Sequence, residues 1–286
     1  MKRQTVILMT LTLSMSGIFF SCHDKTDSRT GALEIDSIQI NKTEHLFGDT
    51  AKPACNITIN YAYVAKSADT TLSDTLNSYF AAACFGDKYI GENPDSIAAR
   101  YVKEYVKGYR DEQESMYTED LKDKASEEGE LVSTGWYSYY KTIESRVQFY
   151  QGDLMVYRVD YSEYTGGAHD TYSSTFLNMD LKLMRPLRLD DLFAGDYKDA
   201  LTNFIWTQLM ADNKVGSRKE LEDMGYASMN DITPSENFYL DKKGITFYYN
   251  VYDIAPFVMG PTQVTLPFAL LEQLLAENTI IDQLKG

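Results

Sequence analysis

The chain has 286 residues, a length that suits two subdomains or one extended core. Its 42 acidic residues outnumber 27 basic ones, and the formal net charge is −15 at pH 7. Such a surface repels phosphate backbones, so we expect no nucleic-acid partner. An acidic surface favours a cationic partner, and it also keeps a protein soluble without any partner.

The first 21 residues have the layout of an export signal. Lys2 and Arg3 form a charged start, and an apolar run follows over residues 6–20. That run is shorter than the ~20 apolar residues of a membrane-spanning helix. Cleavage of residues 1–21 removes two positive charges, so the mature chain is more acidic still.

The residues after the apolar run predict a lipid anchor. Ser21 and Cys22 resemble a bacterial lipoprotein cleavage site, which predicts lipidation of Cys22. An ordinary cleaved signal with an incidental cysteine is the alternative. Residues 22–34 are polar and predict a tether. The expected location is the cell envelope, at the periplasmic or outer-membrane face, where the lipid holds the chain to a membrane.

Two further cysteines, Cys55 and Cys84, leave two alternatives open. In an oxidising envelope they can pair in a disulfide, which would stabilise the fold by roughly 3 kcal/mol. They can equally be two buried thiols in a core. The sequence places no histidine near either cysteine, so neither has a catalytic context.

Hydrophobic periodicity predicts both strands and helices in the first half of the chain. Alternating apolar residues indicate strands within 35–64, joined by a loop over 42–53. Recurrence every three to four residues indicates a helix over 69–85 and a second helix opened by Asn93 and Pro94. The second helix carries a row of tyrosines, and their helical spacing favours core packing over a sugar-stacking surface.

The second half is predicted to begin with a meander of aromatic-rich antiparallel strands. A hairpin over 136–164 turns at 151–153, and a strand over 171–180 pairs beside it. The elements expected after it are a strand broken at Arg185-Pro186, helices over 196–210 and 217–224, a hairpin over 238–251, a strand over 264–266, and a final helix from Pro267 with Leu270, Leu271, Leu274 and Leu275 facing inward. Because strands and helices come in clumps, the predicted fold class is α+β. An antiparallel sheet of meanders and hairpins packs with several helices, and these can form two subdomains.

Four short segments carry a resemblance to a known family. They are 165–169 (TGGAH), 178–181 (NMDL), 187–193 (LRLDDLF) and 252–261 (YDIAPFVMGP). As a set they resemble the extracellular domain of RsiV-type anti-sigma factors, and the non-catalytic amino-terminal region of PdaC-type peptidoglycan deacetylases is similar. The resemblance implies a PdaC-N-like subdomain over 35–165 and an RsiV-like subdomain over 166–286.

The resemblance implies a binding or sensing function rather than a catalytic one. The best-understood relative senses lysozyme by binding it, so the candidate ligand is a cationic protein such as lysozyme, or a cell-wall component such as peptidoglycan. The export signal directly precedes the domain, so we expect no cytoplasmic sigma-binding segment and no anti-sigma activity. A purely structural envelope lipoprotein is a further alternative.

The loop around TGGAH is the candidate binding segment. Gly166 and Gly167 release the backbone to positive φ, which residues with a Cβ resist. His169 has a structural interpretation, in which it anchors the turn or packs against Tyr164. In the functional interpretation, which the resemblance suggests, the ligand-binding residues are Tyr164, Gly166, Gly167, His169 and Asp170.

Motifs for catalysis are absent from the sequence. There is no HExxH or comparable zinc pair, no nucleophile elbow, no P-loop and no dinucleotide fingerprint, so we expect no metal, no cofactor and no enzyme. Asp190 and Asp191 are predicted to cap a helix start. A glycan hydrolase that uses carboxylates paired in space is the enzymatic alternative.

Overall fold

The computed structural model describes residues 33–125, 134–227 and 232–285. The predicted export signal, Cys22 and most of the tether over 22–34 lie outside the described residues. Within the described ranges the chain is a mixed α+β fold with a six-stranded sheet, a three-stranded sheet and helices on both faces of the larger sheet. The predicted fold class is confirmed.

The six-stranded sheet follows the order of the chain. Its strands are β1 (Glu34–His45), β2 (Ala54–Lys66), β3 (Tyr139–Gln151), β4 (Leu154–Tyr164), β5 (Thr171–Asp180) and β6 (Arg185–Pro186). All neighbours are antiparallel except β2 and β3, which are parallel. The predicted antiparallel sheet is therefore mostly right. The parallel pair arises because two helices form the crossover between β2 and β3.

Two local predictions in this sheet are wrong. The loop expected over 42–53 is shorter, because β1 continues to His45, which pairs with Ala54. Arg185 and Pro186 do not break a strand; they form the short edge strand β6 against the end of β5. A proline is tolerated there because an edge strand leaves one side of its main chain unpaired.

Two long helices, α1 (Thr70–Phe85) and α2 (Pro94–Ala125), cover one face of the sheet. Both start within one residue of the predicted positions, and the second has the predicted cap. The Asp69 side chain accepts hydrogen bonds from the second and third main-chain amides of the first turn of α1, and the Asn93 side chain accepts one from Asp95. These caps satisfy amides that a helix start leaves unpaired. Both helix predictions are confirmed.

The remaining elements build a second core, which includes side chains from the other face of β4 and β5. These elements are α3 (Leu189–Leu192), α4 (Lys198–Asn213), α5 (Arg218–Asp223), β7 (Phe238–Asp241), β8 (Gly244–Tyr249), β9 (Thr262–Leu266) and α6 (Phe268–Leu271). Strands β7, β8 and β9 form the antiparallel three-stranded sheet. The final helix is a single turn, shorter than predicted, and Leu270 is 46% exposed. After that turn Leu275 pairs with Phe193 in an isolated bridge, which takes the chain out of helical geometry.

Two hydrophobic cores lie on opposite faces of β4 and β5. Side chains alternate along β4, so that Leu154 and Val156 enter the core below α4, whereas Met155 and Tyr157 enter the core below α1 and α2. The two cores fit two subdomains that share one sheet. A boundary at 165/166 lies inside that sheet, in the loop between β4 and β5.

Both described cysteines are buried free thiols. Cys55 lies in β2 and Cys84 in α1, so of the two alternatives the structure has the buried thiols and not the disulfide. The Cys84 Sγ lies 3.6 Å from the Tyr157 hydroxyl. Burial raises the pKa of each thiol to about 12. Thiols with such a pKa are chemically inert at neutral pH.

Three asparagine side chains, here called the asparagine clamp, join β5 to the three-stranded sheet. Asn178 of β5 donates to and accepts from the main chain of β7 at 2.7 and 2.9 Å. Asn237 joins the Phe176 amide and the Ser174 carbonyl, and Asn250 binds the Ser174 amide at 2.7 Å. The clamp replaces a strand-to-strand ladder and fixes the chain after β8 beside the start of β5.

None of the helices within the described ranges is both long enough and apolar enough to cross a lipid bilayer.

Candidate binding site

The loop between β4 and β5 is held in shape by its own side chains. The Tyr164 hydroxyl donates to the Gly167 carbonyl at 3.0 Å. The Tyr140 hydroxyl donates to the Asp170 carboxylate at 2.6 Å, and this hydrogen bond raises the pKa of Tyr140. Tyr164 and Asp170, predicted as ligand contacts, therefore have internal partners and position the loop.

Both glycines of the loop have a conformation that requires them. Gly166 has φ +86° and Gly167 has φ +115°, a region that side chains with a Cβ rarely enter. A Cβ on Gly166 would lie 2.9 Å from the carbonyl oxygen of Trp136. At Gly166 the loop therefore lies so close to the main chain just before β3 that a residue with a Cβ does not fit.

His169 lies on an exposed aromatic surface that we call the aromatic platform. The platform consists of His169, Tyr172, Tyr252 and Phe257. The imidazole stacks on Phe257 with ring centres 4.3 Å apart, and the Tyr252 hydroxyl lies 3.3 Å from its Nε2. Tyr172 meets the edge of Phe257 at 5.4 Å. The Asp170 carbonyl lies 2.7 Å from the His169 Nδ1, which fixes the orientation of the ring.

One platform residue, Tyr252, and the neighbouring Val258 are large side chains that are mostly exposed. Tyr252 is 62% exposed and Val258, next to Phe257, is 91% exposed. Tyr252 also has φ +70°, which is a strained conformation for a bulky residue. Strain of this kind persists where the surrounding structure imposes it, and it is concentrated at functional sites.

The platform lies at the end of the sheet opposite to the start of the described chain. β1 begins at Glu34, opposite Lys66, the last residue of β2. β2 runs parallel to β3, and β3 begins where β4 ends, with Tyr140 opposite Tyr164. The loop over 165–170 is therefore separated from Glu34 by the length of β4. Its 11 residues correspond to ~35 Å.

The structural interpretation of His169 was right in part, because its ring is anchored to main chain at Asp170. The expected packing against Tyr164 is wrong, since the ring packs on Phe257. Sequence reasoning did not place Tyr172, Tyr252 or Phe257 at the site. The segments 165–169 and 252–261 both belong to the family resemblance. The sequence alone does not show that the asparagine clamp brings them together.

The other two segments of the resemblance have structural roles. Asn178 belongs to the clamp. The Asp191 carboxylate accepts hydrogen bonds from Arg185, with Nη2 at 2.6 Å, and from the main-chain amide of Arg188. The bond to Arg185 lowers the pKa of Asp191. Asp190 accepts from the Tyr197 hydroxyl at 2.6 Å. The predicted helix-start role matches the contacts of Asp191, whereas Asp190 binds the Tyr197 hydroxyl instead of a main-chain amide of the helix start.

Within the described ranges no group of three or more His, Cys, Asp or Glu side chains is placed to hold a metal ion.

Comparison with known proteins gives one family. The model of DUF3298, a protein family of unknown function, matches residues 190–269. A crystal structure of a DUF3298 family member from Bacteroides fragilis is 60% identical, has a TM-score of 0.85, and is matched over 99% of its length and 90% of this chain. A DUF3298 family protein from Pseudomonas aeruginosa has a TM-score of 0.61 at 15% identity, covering 87% of this chain and 96% of that one, which shows a shared fold. No functionally curated protein matches the chain.

Proposed function

The chain belongs to the DUF3298 family, and we propose that it is a non-catalytic binding domain of the cell envelope whose aromatic platform contacts a cationic protein. The concrete candidate is a lysozyme. The proposal extends the resemblance of the four segments to RsiV-type sensors and PdaC-type amino-terminal regions. It takes their binding function without their sigma-factor control or deacetylase chemistry.

The observation that carries the proposal is an exposed aromatic surface in which one residue, Tyr252, has a strained main chain. Tyr252 is 62% exposed in a left-handed conformation, and it surrounds His169 together with Phe257. Aromatic side chains with few rotatable bonds are typical anchors of protein interfaces. Because the Asp170 carbonyl and the clamp fix the ring positions, little conformational entropy remains to be lost on binding.

The charge of the chain supports a cationic partner. A formal net charge of −15 attracts basic proteins at low salt and accelerates encounter. Asp253, next to Tyr252, is exposed and adds a carboxylate at the edge of the platform. Charge supplies steering, while the aromatic rings supply the contact that survives in salt.

The orientation of the platform supports an anchored protein. We propose that Cys22 carries a lipid and that residues 22–34 form the tether. The described chain then starts at the membrane-proximal end of the sheet, and the platform faces away from the membrane by about the length of one strand, ~35 Å. A soluble protein partner can reach a site in that position.

Titration of the purified protein with lysozyme at low and moderate salt tests the proposal. We expect binding at both, weaker at moderate salt, where the screening length is ~10 Å. Absence of binding at low salt eliminates lysozyme. Binding that disappears completely at moderate salt shows charge attraction without a specific contact at the platform.

A further inference from the structure

A concave site lies beside the loop between β4 and β5. It is bordered by α2, the start of β3 and the end of β4. The cleft has a volume of about 440 Å³, within the range of small-ligand sites. The residues that line it are Tyr105, Gly108, Tyr109, Glu112, Tyr139, Glu163 and Thr165. It shares Thr165 with the loop between β4 and β5 but contains none of the four platform residues.

Three tyrosines line the cleft, and one of them, Tyr109, is only 3% exposed. Tyr109 and Tyr139 lie with ring centres 5.2 Å apart. The Tyr139 hydroxyl is held by the side-chain amide of Gln113, which is 2% exposed, at 2.8 Å. Lys141 Nζ lies 5.4 Å from the ring centre of Tyr105, so one ring of the cleft already receives a cation. Rings placed in this way attract positive charge through their π faces.

Two carboxylates complete the lining, and they differ in their partners. Glu163 accepts from the Tyr105 hydroxyl at 2.7 Å and pairs with Lys141 at 3.0 Å, so its charge is offset. Glu112 is exposed, and it forms no hydrogen bond or ion pair with any described residue. The cleft therefore keeps one uncompensated negative charge next to aromatic walls.

Gly108 lines the cleft at a helix position that does not need glycine for structural reasons. It lies inside α2, where glycine costs about 1 kcal/mol relative to alanine. Its φ is not in the left-handed region, and a Cβ built on it would meet nothing within 4 Å. Neither backbone conformation nor close packing requires glycine here. A larger side chain at this position would occupy the space of the cleft.

We propose that this cleft binds a cationic side chain, the guanidinium of an arginine. The planar cation stacks on the half-buried Tyr139 ring while its N–H groups donate to the Glu112 carboxylate. Glycine at position 108 admits the aliphatic part of the arginine. This cleft is separate from the platform, and its proposed ligand is a specific chemical group. The inference therefore goes beyond the proposed function.

The test uses N-acetyl-arginine amide as the probe and N-acetyl-citrulline amide as its neutral isostere, with binding followed by NMR on the whole protein. We expect millimolar binding of the arginine probe and at least about fivefold weaker binding of the citrulline probe. Equal binding of the two probes overturns the proposal, and so does binding of an N-acetylglucosamine trisaccharide with no binding of arginine.

Two variants separate the site from general effects. Glu112→Gln is expected to weaken arginine binding about fivefold, whereas Glu119→Gln, on the same helix outside the cleft, leaves it unchanged. Gly108→Leu is expected to abolish binding and to raise the melting temperature, because leucine is the better helix former. Wild-type affinity in folded Gly108→Leu overturns the proposal. The probe does not contact the platform, so failure here leaves the lysozyme proposal standing, and failure with lysozyme leaves this one standing.

Discussion

Replacement of Asn178 by alanine removes a central contact between the two sheets. The side chain is 2% exposed, and it forms hydrogen bonds with the Phe238 carbonyl at 2.7 Å and the Leu240 amide at 2.9 Å. Both partners belong to β7, on the side that faces β5. Alanine leaves one main-chain donor and one main-chain acceptor buried without a partner.

The expected cost follows from these two groups. A buried polar group that loses its partner destabilises a protein by about 1–3 kcal/mol, so the pair gives roughly 2–6 kcal/mol. That loss is a large part of the ~5–15 kcal/mol by which native domains are stable. We expect the core that contains Trp206 to lose stability, because the three-stranded sheet packs there.

Urea unfolding followed by tryptophan fluorescence measures this loss. We expect the midpoint to fall by about 1 M or more. Asn41→Ala is the matched control, because Asn41 is exposed on the edge strand β1 and should change the free energy of unfolding by less than about 0.5 kcal/mol. If Asn178→Ala shifts the midpoint no more than Asn41→Ala does, the clamp does not join the sheets as described.

Acid and thiol chemistry give two further predictions. The hydrogen bond from Arg185 lowers the pKa of Asp191 in the folded protein. The stability that this bond supplies is fully present above the unfolded pKa of about 3.9. It is lost as the pH falls through the lower folded pKa. Unfolding measured from pH 6 to 2 should therefore show a shallower acid loss for Asp191→Asn, and an unchanged slope would contradict the assignment. Because burial raises the pKa of Cys55 and Cys84 to about 12, a thiol reagent at pH 8 should label both only after unfolding. Rapid labelling of either cysteine in the native protein would refute their burial.

The sequence correctly predicted helix starts and turns whose positions depend on residues close together in the chain. The helix starts at Asp69 and Asn93 were correct because a capping side chain and its amides lie within three residues of each other. The turn between β3 and β4 was correct for the same reason, since Gly152 supplies the positive φ that the hairpin needs. Interactions between residues this close in the chain can be predicted from a single sequence.

Features that depend on distant pairing could not be predicted. The parallel contact of β2 with β3 requires knowledge of where the crossover helices dock. The early end of the last helix results from the bridge between Phe193 and Leu275, which are far apart in the chain. The platform is the clearest case. His169 was singled out, yet its partner Phe257 is placed by amide contacts of Asn250 with β5.

The affinity of Phe257→Ala for lysozyme tests the central claim most directly. Phe257 stacks on His169 and touches both tyrosines of the platform. We expect a loss of at least tenfold at moderate salt, since anchoring aromatics contribute about 1.4 kcal/mol or more. Tyr150→Ala is the control, because Tyr150 is 42% exposed near the opposite end of β3 and should leave the affinity unchanged. Equal affinities of Phe257→Ala, Tyr150→Ala and the wild type would contradict binding through the platform.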